Sequence, residues 1–124
     1  MAYEESLTSI SVQAGSDLSA SQYRLMIVNA SGQLAAASTG AKADGVLQDK
    51  PAAAGRPGTL GINGVSKVEA GAAITAGDDI AVGTSGKAAV AGTGDVVVGR
   101  AMEDAGADGD LFAMLIVRSV EPLA

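Results

Sequence analysis

The stretch Ala14-Gly15-Ser16-Asp17-Leu18-Ser19-Ala20 returns 56 positions later as Ala70-Gly71-Ala72-Ala73-Ile74-Thr75-Ala76. Further along, the spacing settles at 54, the cost of one small deletion. Ser31-Gly32 then matches Ser85-Gly86, and Thr39-Gly40 matches Thr93-Gly94. Gly45-Val46-Leu47-Gln48-Asp49 falls on Gly99-Arg100-Ala101-Met102-Glu103, Ala53-Ala54-Gly55 on Ala107-Asp108-Gly109, and Ile62 on Ile116. Single coincidences mean little in a chain this rich in alanine and glycine, but an ordered run of matching turns means more. A repeated supersecondary unit is expected, with two similar β modules over about 14–65 and 70–120. They would pack face to face or weave into one pseudo-symmetric barrel, and superpose as related hairpin units.

Short β-branched runs lie between the turns. The texture predicts strands at Leu7–Gln13, Tyr23–Asn29, Gln33–Ala37, Gly45–Gln48, Thr59–Val65, Ile80–Val82, Lys87–Val90, Val96–Met102 and Leu111–Val120. Ser9-Ile10-Ser11-Val12 alternates as a half-buried strand should. The continuous apolar runs Leu25–Val28 and Leu111–Val117 suit strands buried on both faces. Asn63-Gly64 reads locally as a hairpin turn, but the duplication places it near the end of a strand. Alanine-rich pieces favour helix, yet glycine interrupts them within a turn. The fold class is therefore all-β: a small barrel with an internal pseudo-duplication, one domain over residues 14–124, and an N-terminal extended arm over 1–13. The arm either forms an edge strand of the barrel or adds a strand to a neighbouring chain.

Bulk composition bounds the function. The chain has 124 residues, enough for one domain with a thin core. Its hydrophobic residues make up 48% of it, but 25 of them are alanine, and Tyr3, Tyr23 and Phe112 are its only aromatics. Large side chains supply most buried apolar area, so association with a partner is expected to stabilise the fold. The net charge of −6 and scattered cations leave no basic stripe for nucleic acid or an anionic membrane. No apolar run approaches membrane-spanning length. Cysteine and histidine are absent, which removes disulfides, thiolate metal sites and the commonest nucleophile–base pairs. Met1-Ala2-Tyr3-Glu4-Glu5-Ser6 is acidic and unlike a secretory signal, so folding in a cytoplasm is expected.

Few constellations suggest chemistry. Asp78-Asp79 reads as a turn before a strand, since strand neighbours point to opposite faces. Asp104-Ala105-Gly106-Ala107-Asp108-Gly109-Asp110 is rich in carboxylates but does not follow the EF-hand spacing, and reads as a solvated turn. Gly92-Thr93-Gly94 precedes a strand, whereas a phosphate cradle needs a following helix. No cofactor, metal or catalytic residue is expected, and the chain is not expected to be an enzyme.

Several segments resemble the tailed-phage capsid decoration (cement) proteins. They are the Met1-Ala2 opening, Ala14-Gly15 through Ser19, Gly45-Val46-Leu47, Ala53-Ala54-Gly55, Gly64 to Ile80, Gly86-Lys87, Val98-Gly99-Arg100-Ala101-Met102-Glu103, and the closing strand from Leu111 to Val117. The resemblance covers nearly the whole chain. It implies a small β-barrel or β-tulip-like protein on the outer capsid surface of a virion, made in the host cytoplasm. It further implies a homo-oligomer, a trimer above all, that binds the major capsid protein and bridges capsomers. Thr59-Leu60-Gly61-Ile62 departs from it, being glycine-rich where bulkier residues are expected.

Candidate capsid or subunit contacts are Tyr3, Leu7, Ile10 and Val12 on the arm, then Tyr23 and Phe112. Scarce aromatics often anchor interfaces, although a thin core has equal need of the last two. The alternative is a non-viral β-clip-like ligand-binding or accessory module, suggested by Ala70-Gly71-Ala72-Ala73-Ile74-Thr75-Ala76-Gly77-Asp78, which requires a pocket of converging polar groups.

Overall fold

The computed structural model describes residues 2–117. Its strands are β1 (Glu5–Gln13), β2 (Leu25–Val28), β3 (Leu34–Ala36), β4 (Gly45–Leu47), β5 (Pro57–Glu69), β6 (Asp79–Val82), β7 (Ala88–Val90), β8 (Gly99–Ala101) and β9 (Leu111–Ile116). A single 3-10 turn covers Thr84–Gly86. The strands form one strongly curled antiparallel sheet, a half-barrel, in the order β3-β2-β4-β5-β9-β8-β6-β7, with β1 also paired to β5. Residues 118–120 of the expected closing strand, and the C-terminal end of the expected domain, lie outside the described residues.

The duplication is written into the hydrogen-bond register. Moving 54 positions carries β2, β3 and β4 onto β6, β7 and β8, and Pro57–Ile62 of β5 onto β9. Their partners move with them. Met26↔Ala36 becomes Ile80↔Val90, Leu25↔Val46 becomes Asp79↔Arg100, and Leu47↔Leu60 becomes Ala101↔Met114. The change of spacing falls between Leu18 and Ser21. Leu18 N–H donates to the Pro51 carbonyl as Ile74 N–H does to Ala105, whereas Arg24→Ser21 corresponds to Asp78→Thr75.

The repeat also starts earlier than its turn motifs show. Ser9↔Gly61 through Gln13↔Pro57 corresponds to Val65↔Leu115 through Glu69↔Leu111. Strand β1 is thus the first strand of the first repeat, and its counterpart is the C-terminal half of β5. This corrects the expectation that residues 1–13 stand outside the duplication. The two segments, Ser9-Ile10-Ser11-Val12-Gln13 and Val65-Ser66-Lys67-Val68-Glu69, share only a valine, so sequence matching passes over them. Strand β5 closes one repeat and opens the next, and the halves are woven into one sheet rather than stacked.

Asn63-Gly64 is neither a hairpin turn nor a strand end. It lies inside β5, where Gly64 adopts φ +103° and the β1 ladder slips between Glu5 and Ser9. A Cβ at Gly64 would press on the backbone of Ser6 and Glu5, so the bulge requires glycine. Strand β8 is also shorter than the expected Val96–Met102, although Val96 and Val98 are buried ahead of it.

Each repeat fills its core differently. Gly58 and Phe112 occupy equivalent positions, paired to Val12 and Val68. Around Gly58, the site of a missing Cβ lies 3.0 Å from Leu34, 3.3 Å from Pro51 and 3.4 Å from Leu47. Their counterparts around Phe112 are Ala88, Ala105 and Ala101, which share its core cluster. Three medium side chains around a glycine in one repeat become one phenylalanine among alanines in the other, preserving close packing. Leu25 and Met26, adjacent on β2, enter different clusters, as expected of a strand buried on both faces.

Candidate functional site

The candidate surface centres on β1, which among the described residues is an edge strand paired through one side to β5. Tyr3 just precedes it and is 38% exposed, and Ile10 is 44% exposed. Val12 is half-buried against the smaller core cluster. Leu7 is half-buried; its Cδ1 lies 3.0 Å, and the Gln48 amide nitrogen 2.8 Å, from where a Cβ on Gly61 would sit. That contact explains the glycine-rich centre of β5: Leu7 and Gln48 occupy the space a larger residue at 61 would need. The sheet brings these four arm residues onto one strand and its approach.

The two later candidates separate. Phe112 is wholly buried in the larger core cluster and offers no surface to a partner. Its place among alanines makes it a packing residue. Tyr23 is half-buried at the junction of the repeats. Its N–H donates to the Leu47 carbonyl, its own carbonyl accepts from Glu69 N–H, and the Lys67 ammonium sits 5.8 Å from its ring centroid. Tyr23 holds φ +65°, and its counterpart Gly77 holds +90°. The fold demands a left-handed residue there, and a tyrosine meets that demand at some strain.

Sequence reading missed the outer face of β9. Leu111, Leu115 and Val117 are exposed, together with Met102 beyond β8. Their signal was the even spacing of Leu111, Leu115 and Val117, which the buried Ala113 between them interrupts. It was hidden because Phe112, Met114 and Ile116, the intervening residues, are apolar too.

The acidic residues serve the chain's own turns. Asp110 Oδ2 accepts from Gly106 and Ala107 N–H at 3.1 Å, and Asp104 Oδ1 accepts from Ala76 N–H at 2.8 Å. Asp78 closes the turn onto Thr75 N–H, and Asp79 pairs with Arg100 at 3.1 Å. Asp17 accepts from the hydroxyl and the N–H of Ser19, which hold its carboxyl below the usual value. Among the described residues no three acidic side chains converge as metal ligands would. Thr39, Thr84, Ser85, Lys87 and Asp108 bound an open depression. Its cation is engaged: Lys87 Nζ lies 2.9 Å from Asp108 and 3.7 Å from Glu69.

No curated protein sequence matches the chain. Among solved structures it is similar to the N base of head fiber gp8.5 from bacteriophage phi29, with 25% identity and a TM-score of 0.70 over 92% of this chain and 97% of that one. Residues 11–117 match the phage cement protein family. That span runs from the middle of β1 through β9 and takes in both repeats. The chain therefore belongs to the phage cement protein family, structural proteins associated with the phage head.

Proposed function

We propose that this protein decorates the outer surface of a phage head, binds the major capsid protein, and acts as a trimer that bridges neighbouring capsomers. It reinforces the shell mechanically and catalyses nothing. The observation that carries this reading is the pairing of a core whose one aromatic is Phe112 with apolar side chains exposed on and near a strand edge. Tyr3 and Ile10 stand on the β1 side, Leu111 and Leu115 on the outer face of β9, and Met102 just past β8. Such surface is best stabilised by burial against a partner. Family membership and the likeness to a head fiber base support the site of action. Tyr3, Leu7, Ile10 and Val12 supply contacts to capsid or subunit, and the acidic remainder keeps the decorated particle soluble.

The test is co-sedimentation of the full chain with heads of the same phage lacking their decoration. Saturable binding at a fixed number of copies per head, with heads that survive higher temperature or osmotic shock, is the expected result. Heads that neither bind the chain nor gain resistance would refute the proposal. Because β1 is laddered along β5, deleting it risks the fold. Tyr3→Ser, outside the strand, is the cleaner probe of the arm, and a loss of head affinity is expected.

A further inference from the structure

The junction between the two repeats has a counterpart that no described residue of the same chain fills. Across the junction, Gln48 Nε2 donates to Ser66 Oγ at 2.8 Å, and Ser66 is wholly buried. Moved back through the repeat, Ser66 becomes Ile10: Ile10↔Leu60 is the equivalent of Ser66↔Met114. Moved forward, Gln48 becomes Met102: Gln48 N–H donates to Thr59 and Met102 N–H to Ala113 in the same way. A polar pair inside the molecule thus maps onto an apolar pair at its two free ends, and Ile10 and Met102 are each 44% exposed. That is the reverse of what free ends require, since water favours polar groups at the surface. The two residues do not meet within one chain. The β5 residues level with them, Leu60 and Lys67, stand roughly 23 Å apart along the strand.

We infer that copies of this chain associate head to tail, the outer face of the second repeat around Met102 of one copy covering the β1 edge around Ile10 of the next, so that the inter-repeat junction continues between subunits. The partner is a second copy because the surface needed to cover Ile10 is the one the second repeat already carries. Other parts of the junction translate into compatible pairs. Arg24–Glu69, at 3.1 Å, becomes Asp78 opposite Gln13, a carboxylate facing an amide donor. The Tyr23 carbonyl that accepts from Glu69 N–H becomes the Gly77 carbonyl opposite Gln13 N–H, which the shared register turns away from β5. Asp79 and Arg100, the counterparts of buried Leu25 and Val46, neutralise one another. A heterologous contact of this kind joins two different surfaces, and closes into a ring when its rotation permits.

This rests on the homo-oligomer part of the proposed function and is independent of the capsid. The chain contains no cysteine, so single-cysteine variants report unambiguously. Ile10→Cys and Met102→Cys are made separately, checked by circular dichroism and co-expressed. The mass of the purified protein is measured in solution, then the mixture is oxidised. The expected result is an oligomer that yields an Ile10→Cys/Met102→Cys cross-linked dimer, with little dimer from either variant alone. Dimer from Ile10→Cys alone would indicate a symmetric contact and overturn the inference. An oligomer without the mixed cross-link would overturn it while leaving homo-oligomerisation standing, and a monomeric mass would remove both. As a second readout, Met102→Glu is expected to dissociate the oligomer with the circular dichroism spectrum retained. An unchanged mass for that variant would count against the inference.

Discussion

Phe112→Ala tests the reading that each repeat balances its core volume by its own means. The side chain is wholly buried. Its equivalent in the first repeat, Gly58, is surrounded by Leu34, Pro51 and Leu47, where the second repeat has Ala88, Ala105 and Ala101. Losing the ring forfeits about 2 kcal/mol of transfer free energy. The void of roughly 100 Å³ adds ~24 cal/mol per Å³, or about 2.4 kcal/mol, if nothing collapses into it. Alanines cannot reach across such a gap, so the cost should lie near the top of the usual range, at about 4–5 kcal/mol. A chain of this length has about 6–18 kcal/mol to lose. Urea unfolding followed by far-ultraviolet circular dichroism measures the difference. The triple variant Ala88→Leu/Ala101→Leu/Phe112→Gly, which installs the first repeat's arrangement, should recover at least about 2 kcal/mol relative to Phe112→Gly alone. A Phe112→Ala loss below about 2 kcal/mol, or no recovery in the triple variant, would refute the volume exchange.

Three further outcomes follow from the geometry. Tyr23→Gly should be about 1 kcal/mol more stable than Tyr23→Ala, because Tyr23 sits at φ +65° where the second repeat uses glycine; chemical denaturation of the two variants decides it. Gly99→Ala should cost about 2–3 kcal/mol, since its Cβ would lie 2.7 Å from the Leu115 carbonyl oxygen, whereas Gly94→Ala, facing open space at φ +89°, should cost only about 1 kcal/mol. Asp17, held below 3.8 by Ser19, lends stability at pH values above its unfolded pKa and loses it as pH falls through the lower folded value. Carboxyl-carbon NMR titration should find that depression, and Ser19→Ala should return the pKa toward 3.8.

Much of the architecture was legible in the chain because turns are local. Gly32 and Gly86, Gly40 and Gly94, and Gly55 and Gly109 all hold positive φ at matched places. Glycine marks such positions whatever surrounds it, so the all-β class and the repeat could be read from spacing alone. The membership of the first strand in each repeat could not: Leu7–Gln13 read as a strand but not as part of the duplication. What Ser9–Gln13 and Val65–Glu69 share is a ladder position, and a ladder accepts almost any side chain.

The candidate surface was half legible. Tyr3 and Ile10, named as contact candidates, stand exposed, Ile10 more so than the half-buried alternation of Ser9–Val12 led one to expect, while scarcity alone could not show that Phe112 belongs to the core. Nor could it show that Met102 and Leu115 stand outside, because a strand apolar on every residue hides which face meets water.

Residue order by itself determined a two-fold series of glycine turns, an acidic net charge and a near absence of aromatics. Tertiary structure decided that β5 would belong to both repeats, that phenylalanine in one half would answer three larger neighbours in the other, and that Ile10 and Met102 would be left at opposite ends. The physical reason is that a turn is specified by the few residues within it, whereas burial and pairing depend on which distant strand arrives alongside.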